Sequence, residues 1–175
     1  MPYDCGVAIV RHADDHRAAM TSSAAYLIQT RGGERDAVDW VPEFSRRARG
    51  VPVYATLRTL GRAGVEALVD DCCSRARQIE ELLRVDPGEE ILNDVVLNQV
   101  LVRFGDDDAL TRAVVTGVQE EGTCWLSGTT WHGKAAMRIS VSNWATSEED
   151  ARRSAEAIVR VFRALRGAGA TAAHG

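Results

Sequence analysis

Lysine is almost absent from this chain of 175 residues, which has one lysine, Lys134, against 20 arginines. Any chemistry that requires a side-chain amine therefore has only Lys134 to use. Long apolar runs are also missing, since no stretch approaches the roughly 20 residues needed to span a bilayer. The first residues lack a basic region followed by an apolar one, so we expect no signal peptide.

Metal-ligand patterns are absent as well. The chain has four cysteines: Cys5, Cys72, Cys73 and Cys124. Their spacing is not that of a zinc site, and no His-Glu-x-x-His pattern or acidic ligand cluster is present. We therefore expect no metal site, and we interpret the cysteines as small buried thiols in a reducing cytoplasm.

The composition is that of an ordinary soluble protein, with 45% hydrophobic and 26% charged residues and a formal net charge of -4. This charge gives no long-range attraction to nucleic acid or to an anionic membrane, so neither is expected as a partner. The length suits about one domain with a real core.

The hydrophobic pattern predicts different architectures in the two halves of the chain. The predicted elements are a strand at 6–11, a helix at 14–20, a flexible loop at 27–39, a helix after Pro52, a helix at 65–83, strands within 91–104, a helix ending near Glu121, strands at 123–131 and 134–144, and a helix at 148–165. Residues 91–165 thus form an α+β unit with antiparallel strands. Residues 1–90 look like the remainder of something larger, because nothing precedes the buried strand at 6–11.

Arg138 is the sharpest candidate for binding chemistry. In "AAMRISVSN" the strand period of two places Met137 and Ile139 on one face and Ala136, Arg138 and Ser140 on the other. A guanidinium flanked by small side chains suits bidentate capture of a carboxylate. The alternative is an internal ion pair with an acidic residue of the same chain, and spacing alone favours that alternative.

Two further features have open interpretations. Tyr26 lies just before the predicted loop, where a tyrosine acts either as a proton donor or, more commonly, as an aromatic anchor of the loop. The arginines of "FSRRARG" (44–50) form a positive patch that suits an anion, but pairing with the acidic residues of 36–43 is the simpler interpretation.

Several segments resemble the C-terminal part of the group II pyridoxal-phosphate-dependent decarboxylases, which include aromatic amino acid, histidine and glutamate decarboxylases. The likeness covers about residues 2–165, with the segments in the usual order. They are "PYDCGVAIV", "AAYL", "DWVPEFSRRARGVPVYATLRTLGRAGVEALVDDCC", "LNDVVLNQVLVRFGD" and "AAMRISVSNW". The resemblance implies an α/β fold of fold type I. Residues 1–90 would be the end of the large cofactor-binding domain, 91–166 a small C-terminal α+β domain, and 167–175 a disordered tail.

The resemblance also implies roles for three residues. Tyr26 matches the loop tyrosine that donates a proton to the substrate Cα after carbon dioxide leaves. Arg138 matches an arginine that holds the substrate carboxylate, which reverses the preference stated above. Ser45 matches a position that reaches the pocket from the neighbouring subunit of a homodimer and affects substrate choice.

The cofactor lysine of the family, preceded by histidine, would lie a few residues before the segment that matches Pro2-Tyr3-Asp4. It is missing here, and Lys134 lies too far along the chain to replace it. We therefore expect a truncated product, a misplaced start codon or a fragment that binds no pyridoxal phosphate covalently and is inactive alone.

The sequence thus predicts part of a cytoplasmic, homodimeric carboxy-lyase that uses pyridoxal phosphate to release carbon dioxide from an amino acid. Two alternatives stay open. One is another fold-type I activity, such as an aminotransferase or a different carbon–carbon lyase. The other is a non-catalytic remnant that dimerises or caps a partner subunit.

Overall fold

The computed structural model describes residues 5–21, 36–43, 45–84 and 87–172. The chain divides into two compact units, Met1–Gly61 and Arg62–Gly175. The division at residue 90 that the sequence suggests refers to the domains of a longer enzyme, so it stays a prediction. Among the described residues, no helix combines the length and the apolar character that crossing a membrane requires.

The first unit contains helix α1, Ala13–Met20, which confirms the helix predicted at 14–20. A short 3₁₀ helix, Ala37–Trp40, begins at Asp36, whose side chain accepts a hydrogen bond from the Val38 N–H at 3.2 Å. The rings of His16 and Trp40 meet edge to face with their centroids 5.7 Å apart. The two short helices therefore pack against each other.

The strand predicted at 6–11 is not formed, and that prediction is wrong. Val7 and Ile9 are 73% and 97% exposed. A strand exists only when a second strand accepts and donates its backbone hydrogen bonds. No described segment pairs with residues 6–11, so their apolar character alone does not produce a strand.

Helix α2, Gly50–Leu83, covers both predicted helices and is interrupted at Gly61. Gly61 has φ 63° and ψ -172°, a region that is essentially restricted to glycine because a Cβ atom would be strained there. Past this kink, Cys73, Ala76, Ile79 and Leu83 are buried at helical spacing in the second unit.

The second unit is built on a four-stranded antiparallel sheet with the order β1-β2-β4-β3. The strands are β1 (Glu89–Ile91), β2 (Gln99–Phe104), β3 (Ser127–Trp131) and β4 (Lys134–Ser140). A two-residue turn joins β3 to β4, with φ 47° at His132 and 79° at Gly133. Positive φ at both positions is the geometry that matches the twist of a hairpin.

Helices α3 (Asp108–Glu121) and α4 (Glu148–Ala172) pack on one face of the sheet. Asp107 caps the start of α3 by accepting from the Ala109 N–H at 2.9 Å, and left-handed Gly122 follows its last residue, Glu121, where the sequence predicts the end. Phe104 of β2 and Phe162 of α4 are fully buried, with ring centroids 5.1 Å apart. The core of the unit therefore lies between this face and the helices.

Several boundaries differ from the sequence prediction. β3 begins at Ser127 rather than 123, and β4 ends at Ser140 rather than 144. Helix α4 continues to Ala172, so the disordered tail predicted at 167–175 is wrong for 167–172. Alanine, which has the highest helix propensity of all residues, alternates with the poor helix former glycine at 167–170, and α4 extends through both.

Candidate functional site

Arg138 lies in the middle of β4 with its side chain exposed. Met137, Ile139 and Val141 are buried toward the helices, at 0%, 8% and 6% exposure. The alternation predicted from the sequence is therefore confirmed, except that Ala136 is only 1% exposed although it shares the face of Arg138. The sheet presents the guanidinium on the side away from α3 and α4.

The guanidinium of Arg138 forms no hydrogen bond or ion pair with any residue that the structure describes. The internal ion pair that spacing alone favours is therefore not formed within the described ranges. Arginine side chains are planar forks of donors, so an unpaired one on a rigid strand is able to bind a carboxylate through two parallel hydrogen bonds.

A second strand arginine, Arg103 on β2, behaves in the opposite way. It is 5% exposed and pairs with Asp108 at 2.5 Å. It also donates to the backbone carbonyls of Ala135 at 3.1 Å and Asp106 at 2.7 Å. Arg103 thus fastens the start of α3 to β2 and β4, and three of its five N–H donors are used in these contacts.

Asp108 completes this structural cluster. Its Oδ1 accepts a hydrogen bond from the Ala135 N–H at 3.1 Å, and its Oδ2 accepts from Arg112 at 3.2 Å. The hydrogen bond from Arg103 is the largest cause that holds the pKa of Asp108 below its ordinary value, followed by that from Ala135. The cluster keeps the start of β4 in place, four residues before Arg138.

The described structure does not test whether the other two predicted site residues share a site with Arg138. Ser45 is exposed and lies in the first unit, whereas Arg138 lies in the second. Tyr26 lies outside the described residues. Their assignment to one site stays a prediction.

Among the acidic residues of 36–43, Asp39 has its ion pair with a residue outside the arginine segment. Asp39, which is 5% exposed, pairs with Arg17 of α1. Arg46 and Arg47 are exposed and have no ion pair with the described residues. The positive patch is therefore open to solvent at these two positions.

Described residues of the second unit line two cavities. One, of about 200 Å³, lies between α2 and the segment before α4, where Arg75 pairs with Glu148 at 3.0 Å. The other, of about 370 Å³, lies between α3 and the β3–β4 hairpin. Neither cavity is lined by Arg138 or Lys134. The described residues also contain no cluster of histidine, cysteine and acidic side chains that could hold a metal ion.

Lys134 is the only side chain of the sequence that could attach pyridoxal phosphate covalently, and its position does not suit that role. It is exposed, and it starts β4 opposite Trp131 at the end of the hairpin. A covalent site for this cofactor also needs groups that hold its ring and phosphate. The described surroundings of Lys134 supply none, so these residues do not fit the cofactor.

Ser127 is a polar neighbour of Arg138 that the sequence analysis did not single out. The two residues are paired across β3 and β4. The signal was present, because a two-residue turn at His132-Gly133 pairs 131 with 134 and therefore 127 with 138.

The chain is similar in sequence to several known proteins. A family model, the pyridoxal-dependent decarboxylase conserved domain, matches residues 1–104. Histidine decarboxylase of Mus musculus is 29% identical over 119 residues, which cover 68% of this chain and 18% of the relative. Histidine decarboxylase of Rattus norvegicus is 26% identical over 149 residues, which cover 85% and 23%.

Solved structures show the same fold at low identity. Oryza sativa TDC with PLP and tryptamine has a TM-score of 0.76 and 20% identity. Catharanthus roseus tryptophan decarboxylase in complex with L-tryptophan has a TM-score of 0.71, also at 20% identity. Each match covers 85% of this chain and 33% of the other. These structures confirm the fold class expected from the sequence.

The chain spans between 18% and 33% of the length of these relatives. The family match nevertheless covers more than half of the chain, from the first residue to the end of β2. The chain belongs to the pyridoxal-dependent decarboxylase family.

Proposed function

We propose that this chain forms the C-terminal part of a pyridoxal-phosphate-dependent decarboxylase, a carboxy-lyase that releases carbon dioxide from an L-amino acid to give an amine. One structural observation supports this proposal beyond the family match. Arg138, the residue that matches the family's carboxylate-binding arginine, is exposed on a rigid strand and unpaired among the described residues.

The contribution of this chain is binding and orientation. Arg138 donates two hydrogen bonds to the substrate carboxylate and so fixes the direction of the bond that breaks. Arg103 and Asp108 hold β4 in place beneath it. Tyr26 is the proposed proton donor to the substrate carbon, and Ser45 the proposed contact across a homodimer. A cytoplasmic location stays a prediction.

The cofactor lysine would come from a segment that precedes these residues in the whole enzyme. The DNA upstream of the first codon tests this: we expect an in-frame segment with a His-Lys pair. The extended protein should release labelled carbon dioxide from a carboxyl-labelled amino acid. Keto acid formation without carbon dioxide would instead identify an aminotransferase.

The 175-residue chain provides the complementary test. We mix it with pyridoxal phosphate, reduce with borohydride and locate adducts by mass spectrometry. The expected result is no stoichiometric adduct at Lys134, because its amine is exposed and lacks a cofactor site. A stoichiometric adduct at Lys134 that Lys134→Arg abolishes, together with turnover of an amino acid by this chain, would overturn the proposal.

A further inference from the structure

We infer that Ser127 is a second carboxylate-binding residue, which donates its hydroxyl hydrogen bond to the same substrate carboxylate as Arg138. The inference rests on the proposed function, because it adds a residue to the same site. It is carried by the register of the β3–β4 hairpin.

The register places the two side chains next to each other. Ser127 and Arg138 are Cα partners in the antiparallel pair, so both side chains leave the sheet on the same face. Directly opposed residues have Cβ atoms about 4.5–5.5 Å apart. The hydroxyl therefore lies beside the root of the guanidinium stem, and it donates to the bound carboxylate when the Arg138 side chain folds over β3.

Of the two residues directly opposite Arg138, only Ser127 offers a donor. Leu101, the partner of Arg138 on the opposite strand, is apolar and 8% exposed. Ala136 precedes Arg138 on the same face of β4 and carries no donor. Ser140 follows on that face, but two residues along a strand span about 7 Å, which is farther than the cross-strand distance.

The Ser127 hydroxyl is also available. Like the Arg138 guanidinium, it makes no hydrogen bond with the residues that the structure describes, and Ser127 is half-buried. A half-buried hydroxyl beside an unpaired cation gains a strong partner when a carboxylate binds, since hydrogen bonds to charged groups are the stronger class. The pair thus forms a two-residue subsite, walled by Leu101 on one side.

The test uses the 175-residue chain with ¹⁵N-labelled arginine and two probes, L-histidine and histamine, which differ only in the carboxylate. We expect L-histidine at millimolar concentration to shift the Nε–H signal of Arg138 and histamine to leave it unmoved. Ser127→Ala should weaken the apparent affinity for L-histidine about tenfold, the effect of one hydrogen bond to a charged group. Ser127→Thr should restore it, because threonine keeps the hydroxyl.

The matched control is Ser140→Ala, the same substitution on the same face, which should change the affinity less than twofold. Arg138→Met should abolish the response in any background. An unchanged affinity in Ser127→Ala, with Arg138→Met still abolishing binding, would overturn the inference alone. The absence of any L-histidine response in the parent chain, or an equal response to histamine, would overturn the inference and the carboxylate role of Arg138 together.

Discussion

Arg17 and Asp39 form a two-point contact that joins helix α1 to the 3₁₀ helix before Pro42. The Arg17 Nε and Nη2 atoms donate to the same oxygen of Asp39, at 3.0 and 2.7 Å. The Thr21 hydroxyl donates to the other oxygen at 3.3 Å. Seventeen residues separate Thr21 from Asp39 in sequence, so this contact joins parts of the first unit that are distant along the chain.

The first prediction concerns this contact. Asp39→Asn should weaken the contact between α1 and the 3₁₀ helix. The Asp39 carboxylate is only 5% exposed, and it accepts hydrogen bonds from the charged side chain of Arg17. We expect the free energy of local unfolding of α1 to fall by about 2 kcal/mol, which makes amide exchange in α1 roughly 30-fold faster. Hydrogen exchange with mass spectrometry measures this locally. Asp36→Asn is the control, since asparagine also caps helices well; equal effects of the two variants would contradict the prediction.

Arg103 provides the second prediction. Arg103→Met removes three hydrogen bonds and leaves the Asp108 carboxylate without its main partner. We expect the free energy of unfolding to fall by about 3 kcal/mol, the lower end for breaking a buried pair, because the Asp108 side chain is 33% exposed. Urea unfolding of the whole chain is the measurement.

The control for Arg103 is Arg152→Met. Arg152 forms ion pairs with Glu149 and Glu156, but on the exposed surface of α4. Exposed ion pairs contribute about 0–1 kcal/mol to the free energy of unfolding, so Arg152→Met should reduce that free energy only slightly. If the two variants unfolded at the same urea concentration, burial would not be what makes Arg103 important.

The third prediction is a pH dependence. The pKa of Asp108 is lowered from 3.8, first by its hydrogen bond from Arg103 and then by that from Ala135. Because the pKa is lower in the folded state, its stabilisation is present above the unfolded pKa and is lost as the pH falls through the folded pKa. Stability should therefore decline in acid less steeply in Asp108→Asn than in the parent chain.

Unfolding free energies measured from pH 5 downward test this prediction. Asp106→Asn is the matched control, since Asp106 contacts Arg103 through its backbone carbonyl, which the substitution keeps. The pKa values of Glu121, Glu149 and Asp150 are lowered too, so the parent chain should still lose stability in acid when Asp108 is replaced. A slope in Asp108→Asn equal to that of the parent would refute the assigned role.

The fourth prediction concerns the close approach of α3 and α4. A Cβ atom on Gly117 would lie 2.7 Å from Cγ1 of Val161, which is too close. Gly117→Ala should therefore destabilise the fold by about 1–2 kcal/mol, although alanine has the better helix propensity. Gly167→Ala, which meets no atom within 4 Å, should instead stabilise by up to about 1 kcal/mol.

Val161→Ala identifies the cause of this effect. If the clash with Val161 is responsible, Gly117→Ala should cost less in the Val161→Ala background than in the parent chain, a coupling that a double-mutant cycle measures. Additive effects of the two substitutions would mean that the glycine is needed for another reason.

Local signals predicted the elements of the second unit well. The capping residue Asp107, the left-handed Gly122 and the turn at His132-Gly133 act within a few residues, so the sequence shows them directly. The exposed position of Arg138 followed from the strand period in the same way. The position of Ser127 beside Arg138 was harder to predict, because it depends on the register in which β3 pairs with β4 and not on the residues next to Ser127 in sequence.

Non-local terms explain what the sequence did not predict. The run at 6–11 has strand composition, but strand formation depends on a partner, and no described segment provides one. Asp39 pairs with Arg17, because the packing of α1 on the 3₁₀ helix brings Arg17 to it. The burial of Ala136 likewise depends on its tertiary contacts, which the alternation of residues along a strand does not predict.

The placement of Lys134 gives the chain an unusual property toward proteases. An endoprotease that cuts after lysine has a single target bond, Lys134–Ala135, at the entrance of β4. Ala135 is 3% exposed and its N–H is bonded to Asp108, so the intact sheet shields this bond. The rate of cleavage at this one bond therefore measures how often the hairpin opens. Because the sequence has one lysine, no other cleavage by such a protease obscures this measure of local unfolding.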